Sequence, residues 1–116
     1  MHEYSIVGAL VDRVAAEAQK AHAAARVKRL HVRIGELAGV DTGLLATAFE
    51  TFRGRTVCSD AELLVSSSEA EWNCPRCGAT IARGERLQCK QCGVAARLSR
   101  GDEIVLERIE LEVPDV

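Results

Sequence analysis

Aromatic side chains are scarce in this chain: Tyr4, Phe49, Phe52 and Trp72 make up the whole set, 3% of 116 residues. Little material is therefore present for stacking on nucleic-acid bases. A cationic excess is lacking too. Lys and Arg number 15 against 17 Asp and Glu, for a net charge of −2, so no overall field draws the protein to a polyanion or an anionic membrane. No apolar run approaches the roughly 20 residues that span a bilayer. The start, Met1-His2-Glu3-Tyr4, has neither the basic region nor the apolar core of a signal peptide. These absences predict a cytoplasmic protein with no membrane and no nucleic acid among its partners. A phosphate loop, a nucleophile with a base at motif spacing and an open metal position are also missing, so no enzyme is expected.

What the chain does have is cysteine in a particular arrangement. Cys74-Pro75-Arg76-Cys77-Gly78 and Cys89-Lys90-Gln91-Cys92-Gly93 are two CxxC knuckles a short spacer apart. Two such pairs in an intracellular chain read as one tetrahedral zinc site with sulfurs about 2.3 Å from the ion, and Gly78 and Gly93 supply the permissive backbone of each turn. Cys74, Cys77, Cys89 and Cys92 fill all four positions, which makes Zn(II) a structural cofactor. The fifth cysteine, Cys58 in Thr56-Val57-Cys58-Ser59, reads as a partly buried small hydrophobe.

Periodicity organises the remainder. Ile6, Val7, Leu10, Val11, Val14 and Ala18 recur at helical spacing and predict an amphipathic helix from about residue 3 to about residue 23. Leu30, Val32 and Ile34 alternate with Arg29, His31 and Arg33, the pattern of a strand buried on one face, with His31 on the wet side. Asp41 or Thr42 can cap a second helix with an apolar stripe through Leu44, Leu45, Ala48, Phe49 and Phe52, and Gly54 is the expected stop. A strand over about 61–67 follows, parallel to the first through the helical crossover. The apolar set of the last strand shifts phase between Leu106 and Ile109, which predicts a bulge or a change of burial there. The sheet available to it precedes the cysteine segment. The expected fold is α+β: two helices on a small three-stranded sheet in the order α-β-α-β-β, with an inserted zinc ribbon. The expected domains are 1–68 with 99–116, and the ribbon over 69–98.

The amino terminus offers a second metal site. The terminal amine, the peptide nitrogen between Met1 and His2 and the His2 imidazole can close fused chelate rings, and three nitrogens in a plane favour Ni(II) or Cu(II). Glu3 can add its carboxylate or backbone nitrogen, or serve as an acid at a helix start. His22 reads as a dipole partner near a helix end and His31 as a solvated strand residue.

The start Met1-His2-Glu3-Tyr4-Ser5-Ile6, the segment Val32-Arg33-Ile34-Gly35-Glu36-Leu37-Ala38-Gly39-Val40, the helix through Phe49-Glu50 and the two late knuckles together resemble the HypA/HybF family of hydrogenase maturation factors, over essentially the whole chain. The resemblance implies a nickel metallochaperone that binds Ni(II) as transported cargo at Met1, His2 and Glu3. It implies zinc at Cys74, Cys77, Cys89 and Cys92, and work with a HypB-type GTPase to place nickel in the hydrogenase large subunit. A homo-oligomer is left open. Some relatives carry histidines near the zinc cysteines; this chain has none there. The rival reading is a zinc-ribbon adaptor for nucleic acid or protein with no nickel role, for which Arg83, Arg86, Lys90, Arg97 and Arg100 around the ribbon speak.

Overall fold

The computed structural model describes residues 3–114. Helix α1, Glu3–Ala21, buries Val7, Val11, Val14 and Ala18 along one stripe. It ends two residues before the expected 23: the His22 N–H still bonds to the Ala18 carbonyl at 3.0 Å, and the chain then turns, with the His22 Nδ1 accepting from the Ala24 N–H at 2.9 Å. Strand β1, Arg26–Gly35, then carries Val27, Leu30, Val32 and Ile34 to the core. Val27 and Leu30 can share a face despite their odd spacing because the ladder slips at Lys28, between Val27 and Arg29.

Asp41 is the N-cap of α2, Thr42–Phe52, its Oδ1 accepting from the Leu44 N–H at 3.0 Å. The sequence left this cap open between Asp41 and Thr42. The helix ends beside the expected glycine, but by other means. The left-handed residue after it is Arg55, at φ 63, while the Thr56 hydroxyl donates to the Arg53 carbonyl at 2.5 Å and the Arg53 guanidinium to the Ala61 carbonyl at 2.6 Å. The helix stops just before Gly54, at the C-cap Arg53, whose N–H bonds to the Phe49 carbonyl and whose own carbonyl is met by the Thr56 N–H and hydroxyl, so no left-handed glycine is needed.

Strand β2, Glu62–Ser68, lies parallel to β1, with Leu30 opposite Leu63, as the crossover reading required. The closing strand β6, Ile104–Glu112, runs antiparallel on the other side, and the ladder slips between His31 opposite Arg108 and Val32 opposite Leu106. Glu107 is the extra residue, which accounts for the phase shift in the apolar pattern. In the sheet order β2-β1-β6 the central strand is thus covered on one face by both helices, with Leu30, Leu45, Phe49, Val7, Val14 and Cys58 fully buried between the layers. Each fully buried side chain of the larger kind contributes about 1.5–3 kcal/mol. The opposite face is a ladder of ion pairs, Arg29 with Glu62 and Glu110 and Arg33 with Glu103 and Glu107.

The cysteine segment builds its own sheet, order β4-β3-β5, from β3 (Glu71–Asn73), β4 (Thr80–Ile81) and β5 (Arg97–Arg100). Its last strand reaches Arg100, past the expected end near 98. The two sheets are joined by the short crossings after β2 and before β6, and the chain packs tightly there. A Cβ on Gly35 would fall 2.1 Å from the Gly101 carbonyl oxygen, and one on Gly101, at φ 113, would fall 2.5 Å from Ala70 Cα. The ribbon projects from the helical body: the molecule measures 62 × 28 × 17 Å with a radius of gyration of 18.4 Å, against about 13 Å for a compact chain of about 100 residues.

Candidate metal centre

The two knuckles are built alike. In the first, the Gly78 N–H bonds back to the Cys74 carbonyl and the Cys74 N–H to the Ala79 carbonyl, both at 2.9 Å; in the second, Gly93 to Cys89 and Cys89 to Val94 repeat the pattern at 2.9 Å. Each turn needs a left-handed residue after its second cysteine, and Gly78 (φ 78) and Gly93 (φ 70) provide it. The N–H groups of Arg76 and Cys77 point at Cys74 Sγ at 3.4 Å, and that of Cys92 at Cys89 Sγ at 3.4 Å. Such bonds spread the negative charge of a thiolate.

The four sulfurs of Cys74, Cys77, Cys89 and Cys92 lie within 4.8 Å of one another, and Cys77 and Cys89 are 3.7 Å apart. A regular tetrahedron with about 2.3 Å zinc–sulfur bonds has edges of about 3.8 Å. The spacing and the all-sulfur donor set therefore fit a tetrahedral thiophilic ion, and no coordination position is left for a reactant. The electrostatics agree with the geometry. The Cys74 thiol is brought down to about 6, chiefly by the Cys77 N–H, whereas Cys92 is pushed up to about 12, first by its hydrogen bond with Cys77. Four thiolates this close cannot all ionise without a cation among them. A dication removes that conflict.

At the amino terminus, Met1 and His2 lie outside the described residues. Glu3 is buried, only 4% exposed, and its Oε2 accepts from the Asp41 N–H at 3.1 Å. It therefore binds the start of α1 to the cap of α2, and does not hang free at a solvated end. Asp41, read from sequence only as a helix cap, is the neighbour that pairing brings to the terminus. The signal in the sequence was its place at the end of the turn-rich loop after β1.

The other histidines take ordinary places. His22 closes the turn after α1. His31 is not simply solvated: its Nε2 lies 2.5 Å from Glu110 Oε2, and this bond is the first cause of the Glu110 carboxyl being held down at about 2. Cys58 is wholly buried, and burial pushes its thiol up.

A two-helix α+β body bearing a ribbon with a closed four-thiol site defines a small metalloprotein whose ribbon is shaped around an ion. Comparison gives the family. The family model described as "Hydrogenase/urease nickel incorporation, metallochaperone, hypA" matches residues 1–111. The hydrogenase maturation factor HypA of Shewanella halifaxensis is 36% identical over 114 residues, covering 97% of this chain and 98% of that protein. The HypA of Wolinella succinogenes is 36% identical over 118 residues, covering 99% and 98%. The solution structure of the nickel metallochaperone HypA from Helicobacter pylori superposes with a TM-score of 0.74 at 32% identity, covering 96% of this chain and 97% of that one. This chain belongs to the HypA family of nickel metallochaperones and hydrogenase maturation factors.

Proposed function

We infer that this protein carries Ni(II) as cargo at its amino terminus and delivers it during maturation of [NiFe]-hydrogenase, without catalysing a reaction itself. Met1 would supply the terminal amine, His2 its imidazole and the preceding peptide nitrogen, and Glu3 the next backbone nitrogen. The Glu3 carboxylate already serves the Asp41 N–H, so its part is to hold the chelate against the body. The observation that carries this reading is the family match, which begins at residue 1 and so includes the proposed ligands. Zn(II) at Cys74, Cys77, Cys89 and Cys92 would hold residues 69–98 as a docking ribbon, while 1–68 with 99–116 form the nickel-binding domain. A HypB-type GTPase and the hydrogenase large subunit are the proposed partners, and the cytoplasm the proposed site of action. No helix among the described residues is long and apolar enough to cross a membrane.

A terminal chelate suits delivery because a receiving site can replace its ligands one at a time. Binding needs neutral imidazole and releases protons, so affinity should fall as pH drops below about 6.5. The decisive test is a nickel titration of tag-free protein beside a variant with two residues added before Met1, which keeps every side chain and removes only the terminal amine from the chelate. The native chain is expected to bind one Ni(II) tightly and the extended one far more weakly. Equal binding by both would reject the amino-terminal site.

A further inference from the structure

The charges of the molecule are divided between its two parts. Six of the fifteen basic residues, Arg76, Arg83, Arg86, Lys90, Arg97 and Arg100, lie between residues 71 and 100, against only two acids there, Glu71 and Glu85. The remainder holds nine basic and fifteen acidic residues. Within the ribbon, Arg83, Lys90 and Arg100 are engaged with Glu36, Glu85 and Glu71. Arg76, Arg86 and Arg97 have no acid within ion-pair distance among the described residues; Lys28 and Arg55 on the body share that condition.

Two of the three ribbon cations are brought together by the fold. The Ala96 N–H bonds to the Leu87 carbonyl at 3.0 Å, and Gln88 bridges Ala95 in antiparallel sense. Arg86 precedes Leu87 and Arg97 follows Ala96, so both exposed arginines flank the same side of that bond. The Gln88 N–H bonds back to the Arg86 carbonyl at 2.7 Å, and Leu87, at the centre of that turn, is 46% exposed. Cations without an acid partner on two paired segments repel each other, and the Leu87 side chain beside Arg86 is left to water. An anionic partner with an apolar contact relieves both.

We propose that Arg86, Leu87 and Arg97 form a docking surface for an acidic protein segment, whose carboxylates pair with the two guanidinium groups while an apolar side chain covers Leu87. The proposal rests on the reading of the ribbon as a docking part and is independent of the nickel ligands. Guanidinium groups suit carboxylates because their planar fork can take both oxygens. A nucleic acid fits less well: the acid-rich body repels a phosphate backbone, and the ribbon's one aromatic, Trp72, is committed to the sheet between Leu98 and Ile81. A second copy of this chain also fits less well, because the acids on the open face of its body sheet are already engaged by Arg29, Arg33 and Arg108.

The test is titration of the full-length, zinc-loaded, isotopically labelled protein with an oligoglutamate peptide at low salt. Amide shifts are expected at residues 86–87 and 96–97, with affinity falling about fivefold for each of Arg86→Ser and Arg97→Ser, and unchanged for the body control Lys28→Ser. Trp72 emission that stays as in the unaltered protein shows that the variants keep the ribbon folded. Shifts scattered over body cations, or no loss in the double variant, would overturn the proposal. So would tighter, Arg86-dependent binding of a single-stranded oligonucleotide at the same salt, or self-association abolished by Arg86→Ser. The nickel titration of the double variant should match the unaltered chain, so a failure here leaves the nickel reading standing.

Discussion

Single residues fix the junction between body and ribbon, and two of them are glycines with no freedom to be anything else. Gly35 ends β1 where the Gly101 carbonyl crosses it; the Gly35 N–H bonds to the Glu103 carbonyl at 2.8 Å and the Leu37 N–H to the Gly101 carbonyl at 2.7 Å. A methyl on Gly35 would land on backbone that cannot turn aside. Gly35→Ala is therefore expected to cost about 3 kcal/mol, at the upper end of overpacking, and a denaturant titration followed by helix circular dichroism would read it; a loss near zero would show that the crossing can shift. Glu36 and Glu103 act at the same place. Arg83, donating at 2.7 and 2.9 Å to the two oxygens, and then the Ala70 N–H hold the Glu36 carboxyl down at about 2, while the Gly101 N–H, then Ser68, do the same for Glu103. Both folded values are depressed from about 4.5. Their stabilisation is thus fully present above about pH 4.5 and is lost as pH falls toward about 2. A junction equally stable at pH 5 and pH 2.5 by amide exchange at Ala70 and Gly101 would contradict this.

At the scale of elements, the patterns that report burial were legible and the contacts between distant segments were not. The stripe of α1, the parallel pairing of β1 with β2, and the bulge at Glu107 follow from which side chains must leave water, and that information is written locally. The CxxC spacing likewise announces the four-thiol cluster. The end of α2 falls beside Gly54, as a glycine signals locally, but the left-handed residue is Arg55 and the Arg53 carbonyl is met by Thr56, a contact that spacing does not show. The burial of Glu3 was invisible for the same reason, since its partner Asp41 is 38 residues away. The ribbon sheet was hidden because strands of two to four residues carry no readable period. These strands also explain why the ribbon should depend on metal. So few residues bury almost no apolar area, and a structural zinc supplies on the order of 10 kcal/mol of folding free energy in small metal-held units. Chelation is expected to unfold the ribbon, shifting the emission of Trp72, the only tryptophan, while α1 and α2 keep their circular dichroism. Simultaneous loss of both signals would mean that the body cannot stand without the ribbon.

Across the whole molecule, the question is whether an elongated chain of this size acts as one piece or two. If the ribbon docks a partner and the terminus holds the cargo, the distance and angle between them matter for handing over the ion, and something must fix them. Backbone bonds at the crossing do part of this: Glu36 N–H to the Ser68 carbonyl at 2.9 Å, together with those of Gly35 and Leu37. The Glu36–Arg83 fork adds a brace from outside the crossing, since Arg83 sits in the loop between β4 and Cys89. The segment that carries Glu36 continues to Asp41, and so to Glu3. One loop therefore touches both the ribbon and the anchor of the amino terminus. Because the fork is largely solvent-exposed, it should restrain the ribbon and not be its sole attachment. Arg83→Lys keeps the charge but loses the fork, and Arg83→Ala loses both. Nitrogen relaxation should show body and ribbon tumbling together in the unaltered protein, slightly looser in Arg83→Lys and clearly looser in Arg83→Ala, with both zinc and helices retained. If Arg83→Ala tumbles as the unaltered chain does, the glycine crossing alone sets the angle, and the brace has no part in presenting cargo to a docked partner.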